Sequence, residues 1–520
     1  MDGNVLTVWG QFFKSFIDRT TMYRLMLYYL LALFIAALSL SAVGYLHISL
    51  SSLLWSASVL AISSWLSNKL FARVFGAVAN VDASLITGLI LALVLAPTSL
   101  SDIAGSVTLA AVAVIASASK YILAFRKKHI FNPVAFALAL SALLLGVQTA
   151  WWASGSLFLI PFILIGGLMV AYKLQKFDLI TAFFAASLIT VATISPNFVA
   201  GVQAAFLYSA ILFFAFVMLT EPLTMPNTRA LRIVYGILIG VLFIWSPSIG
   251  SLHFSPELAL IAGNLFAFFA EQKGRYTLSL IKRNQLASGI YEYIFHSDCK
   301  IIFKSGQYLE WTLGGVPYDN RGNRRFFTIA SAPEEDGIAL GTRFPDEPSP
   351  VRDKDSVSPG RLLVGVSNGA SAFKRTLAEL PVGGVVSASS LGGDFTMPKD
   401  TRKKLAFIAG GIGVTPFASM ARHCIASGES RDAILLYSSK TASEVAYQDV
   451  FKNAERVGWR AVYRIGAIDS EFIKREVPDY LERLFYISGP PGMVDAMKKM
   501  LIELGVSRFS IKTDFFPGLA

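Results

Sequence analysis

From residue 22 the chain passes through ten apolar stretches, approximately 22–42, 51–68, 83–97, 103–124, 132–148, 156–172, 178–195, 201–220, 230–246 and 256–272, separated by short polar breaks. A membrane-spanning helix needs about 20 apolar residues, somewhat fewer inside a bundle, so the pattern predicts about ten transmembrane helices. Two runs of five would permit a five-plus-five inverted repeat. Near Gly274 the pattern changes. After "EQKGRYTLSLIKRNQLASG" come short alternating runs, "IYEYIFHS", "CKIIFKSGQYLEWTL", "RRFFTIAS" and "GIALGTRF", which predict a small antiparallel β-barrel. Later segments alternate strand and helix, from "KKLAFIAGG" and "PFASMARHCIAS" to "LFYISGPP" and "MVDAMKKMLIELG", and predict a parallel sheet. The expected fold class is a polytopic all-α membrane bundle (1–275), an antiparallel barrel (276–400) and an α/β parallel-sheet domain (401–520).

Composition sharpens this division. The 54% hydrophobic content and mean hydropathy of +0.55 exceed those of an ordinary soluble enzyme of this length. Residues 1–275 hold eight acidic residues, and the net charge of +11 divides into +7 before residue 276 and +4 after it, so no basic patch points to nucleic acid. If the ten segments alternate across a bilayer, fifteen Lys and Arg, among them Lys14, Arg24, Lys120, Arg126, Arg232 and Arg275, fall on one side and none on the other. Positive charge marks the cytoplasmic side, which places both termini in the cytoplasm and the protein in the cytoplasmic membrane. Two cysteines, Cys299 and Cys424, cannot supply the four thiolates of an iron–sulfur cluster. The five histidines, His47, His129, His253, His296 and His423, are not paired within helices, which excludes bis-histidine haem and leaves no expected metal site.

The stretch "GGIGVTP" (410–416) follows an apolar strand and opens a helix. Glycines there allow close backbone approach, and the helix dipole faces the phosphates of a dinucleotide. Barrel followed by parallel sheet, with this turn, resembles ferredoxin–NAD(P)H reductase-like proteins. Arg325-Phe326-Phe327-Thr328 is similar to that family's R-x-Y-[ST] signature. The resemblance implies that Arg325 pairs with the pyrophosphate of FAD, Phe327 packs on the flavin and Thr328 stands near flavin N5. In "NGASAFKRTL" (368–377) it assigns Gly369, Ser371 and Lys374 to the same pyrophosphate. Gly410, Gly411, Gly413, Thr415 and Pro416 become the turn for NADH or NADPH, and Ser488, Gly489 and Pro490 close the nicotinamide site. Phe515 or Phe516 would shield the flavin where nicotinamide enters.

Three apolar segments carry polar or helix-breaking residues at the cytoplasmic end: "DASLITGLILALVLAP" (82–97), "HIFNPVAFALAL" (129–140) and "LTEPLTMPNTR" (219–229). Each of Asp82, Asn132 and Glu221 alone can be read as a helix cap; three on one side point to a pocket. In this order the segments resemble the flavin-carrying membrane subunit of the sodium-translocating NADH:quinone oxidoreductase and the corresponding membrane subunit of the Rnf complex. The resemblance implies a flavin inside the bundle, FMN or riboflavin, held by Thr87, Asn132 and Glu221. "SLITVATISP" (187–196) lacks the acidic lead-in of the covalent flavin motif, so the attachment is expected to be non-covalent.

The function expected from the whole is an NAD(P)H dehydrogenase that passes electrons through FAD and a membrane flavin to an extracytoplasmic acceptor, a separate flavoprotein or metalloprotein. Two alternatives stay open at this level: an NAD(P)H:quinone reductase with quinone in the membrane pocket, and a solute or ion carrier gated by the redox domain.

Overall fold

The computed structural model describes residues 17, 20–77, 80–125, 128–249, 252–271, 274–314, 323–344 and 371–514. The chain separates into two compact units, one ending at Gly274 and one beginning at Arg275.

The first unit is helical. Among the described residues, ten helical segments follow the apolar stretches: α1 (Met22–Ala42), α2 (Leu50–Val74), α3 (Val81–Val94), α4 (Ile103–Ile122), α5 (Pro133–Leu145), α6 (Ile160–Leu174), α7 (Phe177–Ile194), α8, α9 (Arg229–Trp245) and α10 (Pro256–Ala270). Segment α8 is two pieces, Phe198–Leu207 and Ile211–Met218, bent by 62°. Ten spans are not shown. Among the described residues four helices, α1, α2, α4 and α7, are long and apolar enough to cross a membrane, or five if bent α8 counts as one. At 1.5 Å per residue a helix as short as α3 covers only about 20 Å of a hydrocarbon layer about 30 Å thick. Its ending has a local cause: the carbonyls of Ala92, Leu93 and Val94 accept hydrogen bonds from the Trp152 indole and from the backbone of residues 150–153, so the chain leaves the helix while still apolar.

Packing within the bundle repeats. Contacts α1–α3, α2–α3, α2–α4 and α4–α5 in the first five segments recur as α6–α8, α7–α8, α7–α9 and α9–α10 in the second five, and α1 meets α6 as α5 meets α10. Close approach of α7 to α9 needs glycine. A Cβ on Gly236 would lie 2.8 Å from the Leu179 carbonyl oxygen, and one on Gly240 would lie 2.6 Å from that of Phe183.

The second unit holds two sheets. Strands β1 (Tyr276–Ala287), β2 (Ile290–Ser297), β3 (Tyr308–Thr312), β4 (Arg324–Thr328), β5 (Ile338–Arg343) and β6 (Val385–Gly392) form an antiparallel sheet in the order β4-β3-β6-β1-β2-β5. The sheet curls on itself, since Ile329 beyond β4 bridges to Leu340 of β5 at the opposite edge. Strands β7 (Leu405–Gly410), β8 (Ala433–Ser439), β9 (Trp459–Ile465), β10 (Leu484–Ser488) and β11 (Ile511–Thr513) are parallel, ordered β9-β8-β7-β10-β11. Every residue of central β7 is buried, as a strand covered on both faces requires. Helices α11 (Ala372–Glu379), α12 (Thr415–Ser427), α13 (Gln448–Ala454), α14 (Ser470–Glu476) and α15 (Pro491–Glu503) complete the unit.

A buried ion pair ties the two layers together. Glu292 of β2, 3% exposed, receives Arg422 of α12 in a two-point contact, Nη1 to Oε1 at 2.9 Å and Nη2 to Oε2 at 3.4 Å, while Nη1 also donates to the Ala330 carbonyl at 3.0 Å. Burial opposes the guanidinium charge and Glu292 outweighs it, holding Arg422 above its ordinary pKa. Three residues before Arg422, Ser419 Oγ donates to the Ser331 carbonyl at 2.7 Å. Removing one partner leaves a buried charge alone, at a cost of about 3–5 kcal/mol. Arg422→Met is therefore expected to lower the unfolding midpoint of the full chain markedly, and adding Glu292→Met to recover a large part. Equal midpoints for Arg422→Met and wild type in a thermal melt would show that the pair does not hold the sheets together.

Candidate functional site

Alternation along β4 puts Arg325 and Phe327 on one face and Phe326 on the other, against the edge of Tyr308 with ring centroids 5.3 Å apart. On the first face, the Phe327 ring lies 5.6 Å from Phe373 and the Arg325 guanidinium 5.8 Å from the same ring. Phe373 is the second residue of α11, and Ser371 caps that helix by accepting from Lys374 N at 3.3 Å. The two segments read as pyrophosphate binders, distant in sequence, thus meet at Phe373. A guanidinium beside a helix N-terminus is a donor set that fits a diphosphate. Lys374 has a further task, since its Nζ donates to the Arg343 carbonyl at 2.5 Å and ties α11 to the end of β5. Thr328 is buried at the end of β4. Gly369, Phe515 and Phe516 lie outside the described residues.

The glycine turn follows β7. Gly410 ends the strand, Gly411 takes φ +54°, and α12 begins at Thr415-Pro416, with Thr415 Oγ1 donating to the Ile412 carbonyl at 2.8 Å. Proline at the first helical turn loses no bond, because those N–H groups have no intrahelical acceptor. The glycines answer to more than phosphate access. A Cβ on Gly413 would sit 2.6 Å from Gly489 Cα, and one on Gly410 would run into Met493 Sδ. The turn and the loop after β10 are packed backbone to backbone, with Ser488 Oγ 3.1 Å from Asp514 Oδ2.

The turn also abuts the barrel. A Cβ at Gly341 of β5 would come within 2.6 Å of the Tyr447 hydroxyl and 3.1 Å of Thr415 Oγ1. Burial and then the Glu292 charge raise the Tyr447 phenol well above its ordinary pKa, so it stays neutral there. Arg343, which carries no sequence signal, ends β5 with Nη1 3.9 Å from where a Gly411 Cβ would stand and Nη2 2.7 Å from Glu444 Oε1. A lone arginine at a strand end belongs to no motif; only the fold shows that it faces the turn.

Residues 407–499 match the family model described as the oxidoreductase NAD-binding domain. The C-terminal half is similar to ferredoxin–NADP reductase-like FAD/NAD-binding domains. Relatives of this half include a flavohemoprotein of Bacillus subtilis, 23% identical over 231 residues, covering 41% of this chain and 51% of that protein. An NADPH oxidoreductase of Mycobacterium tuberculosis is 25% identical over 211 residues, covering 39% of this chain and 50% of its own. The chain spans about half the length of these curated relatives. Among solved structures, the flavohem-like FAD/NAD binding domain of nitric oxide dioxygenase from Vibrio cholerae aligns at 18% identity and TM-score 0.37, covering 47% of this chain and 98% of that one.

In the helical unit, the three residues read as flavin ligands have protein partners. Thr87 of α3 donates to the Ala83 carbonyl at 2.9 Å and receives Lys120 Nζ of α4 at 2.9 Å. Asn132 caps α5, its Oδ1 accepting from Val134 N and Ala135 N at 3.0 Å; its Nδ2 reaches the Met218 carbonyl at 3.5 Å and its N donates to Asn264 Oδ1 at 2.8 Å. Glu221 faces His129 Nε2 at 3.0 Å through Oε1 and Thr224 Oγ1 at 3.1 Å through Oε2. Asn264 Nδ2 donates to the Tyr235 hydroxyl at 2.9 Å, and Glu221 stands within coulombic range of both Tyr235 and Lys120. Hydrogen bonds thus join Thr87 to Lys120, Asn132 to Asn264 and through it to Tyr235, and Glu221 to His129.

Two outcomes test the reductase site. Arg325→Ala is expected to lower FAD occupancy of the purified chain, read from flavin absorbance per chain; full occupancy would remove Arg325 from the site. Gly413→Val, by forcing the two loops apart, is expected to abolish NAD(P)H-dependent flavin reduction while FAD stays bound. Reduction at the wild-type rate in stopped flow would show that the turn does not receive the nucleotide.

Proposed function

We propose that the protein is a membrane-bound NAD(P)H dehydrogenase that carries electrons from cytoplasmic NAD(P)H through FAD and an intramembrane flavin to an extracytoplasmic acceptor. The observation that carries the proposal is a reductase-like unit in one chain with an apolar helical unit that holds polar side chains at Thr87, Asn132 and Glu221. FAD, when bound, takes a hydride as two electrons and can release them singly. Arg325 and the α11 N-terminus would hold its diphosphate, with Phe327 available to the ring and Thr328 to supply a hydroxyl. Gly411, Gly413 and Pro416 would seat the nucleotide phosphates, with Ser488 to Pro490 closing the far side. Fifteen cations on one side of the apolar segments favour cytoplasmic termini and ten segments traversing as two inverted sets of five, the short ones buried among longer neighbours.

The membrane unit, on this reading, resembles the flavin-carrying membrane subunits of the sodium-translocating NADH:quinone oxidoreductase and of the Rnf complex, and holds FMN or riboflavin non-covalently at Thr87, Asn132 and Glu221. A second carrier is required because one cytoplasmic flavin cannot reach an acceptor across about 30 Å of hydrocarbon. A separate acceptor fits the name of one relative, the glycine betaine monooxygenase reductase subunit of Pseudomonas aeruginosa.

Cofactor stoichiometry tests the proposal. Purified wild type is expected to carry about two flavins per chain, one for each side of the relay. Asn132→Ala is expected to lose one of them while NAD(P)H still reduces the other, and Asn132→Ser, which keeps the α5 cap, separates loss of the amide from loss of the helix start. One flavin in wild type, unchanged in both variants, would refute the relay and favour quinone in the membrane pocket.

A further inference from the structure

Lys120 lies within the apolar α4, its ammonium turned to the start of α3. Its two oxygen partners, Thr87 Oγ1 at 2.9 Å and the Ala83 carbonyl at 3.4 Å, are both neutral. Among the described residues no carboxylate makes an ion pair with it. Glu221 is in coulombic range, but its two oxygens are engaged by His129 and Thr224. Asp82, one turn earlier on α3, is drawn to Arg24 at 3.7 Å. Lys120 stands in the last turn of α4, whose dipole favours a cation, while Ala83 and Thr87 belong to the first two turns of α3, whose dipole opposes it. With the two helix ends opposed, a half-buried ammonium without a contact anion keeps its charge available to an electron-rich group beside it.

The place of Lys120 in the fold supplies a second argument. In each run of five segments the third is irregular: α3 is short, 14 residues, and α8 bends by 62° before ending at Met218. Short or interrupted helices at corresponding positions of two repeats point to binding sites in membrane bundles. Thr87 lies on the short helix. Glu221 stands three residues beyond the bent one, and Asn132 Nδ2 reaches the carbonyl of its last residue, Met218.

We propose that Lys120 is the counter-charge of the ligand site in the helical unit: its ammonium faces the carbonyl edge of a redox ring that gains negative charge on reduction. This rests on the relay reading, in which the ring is a flavin. A flavin bound there would gain one negative charge for each electron supplied by a bound FAD, and the fixed positive charge of Lys120 would offset it. Thr87 is the positioning residue, holding the ammonium through its hydroxyl.

Spectroelectrochemistry on the full-length holoprotein tests this with Lys120→Met and Lys120→Arg. Lys120→Met is expected to move the midpoint potential of the membrane flavin to a more negative value and leave that of FAD in place, while Lys120→Arg stays near wild type. Two flavins per chain with unchanged potentials in Lys120→Met would overturn the role of Lys120 and leave the relay standing. One flavin in wild type would instead defeat the relay, and the assay becomes reoxidation of the reduced protein by menadione. A KM for menadione raised about tenfold in Lys120→Met and restored in Lys120→Arg would support Lys120 as counter-charge to a quinone; an unchanged KM would overturn it. Because Lys120→Arg keeps the charge, a failure of both variants to retain FAD and elute as wild type would assign Lys120 to the packing of α3 on α4 and overturn the proposal.

Discussion

Arg422 enters the space between the two sheets of the reductase unit with its charge intact, and that placement is tolerable only because Glu292 is already buried there to receive it. Much else in the unit follows. The pair fixes α12 against β2, and α12 begins at the glycine turn, so the turn is held at the edge of the barrel rather than near it. Gly341 has no side chain because Thr415 and Tyr447 occupy the space one would take. Arg343 reaches the turn because β5 is pinned there. The Arg422–Glu292 pair with its neutral phenol neighbour, and the Arg343–Glu444 contact, tie the barrel to the glycine turn.

The helical unit meets the same difficulty without as complete an answer. Charge in an apolar bundle must find a partner, and several groups do: Arg232 binds Asp178 at 2.7 Å, and Glu271 receives the backbone N–H groups of Asn227 and Thr228 that open α9. These are structural solutions. Around Thr87 and Lys120 the accounting differs, since hydroxyl and carbonyl oxygens satisfy hydrogen bonds but leave the charge standing. Function and structure separate on that difference between a filled hydrogen bond and a balanced charge.

Much of the architecture could be read in advance because it is written in short-range periodicity. The ten apolar stretches, the change near Gly274, the strand alternation of the barrel and the strand-then-helix rhythm of the last 120 residues each depend on residues two to four apart. The glycine turn was legible for the same reason: strand, Gly410-Gly411, Gly413 and Pro416 stand in one continuous run. Helix length was less legible. Apolar text around residues 95 to 97 continues past Val94, but the backbone there is claimed by the segment at 150–153, and hydropathy carries no record of that bond.

Sequence alone determined which segments are helices and strands, which half is apolar, and which loop bears the glycines, because these follow from side-chain chemistry acting on the chain nearby. Tertiary structure alone decided the partners: Lys120 with Thr87 across 33 residues, Asn132 with Asn264 across 132, Arg422 with Glu292 across 130. Such pairings depend on how two elements cross and which rotamers reach, and many partners would satisfy the same local pattern. Lys120 counted in the sequence as one more cytoplasmic cation at a helix end; the packing of α4 against α3 turned it inward.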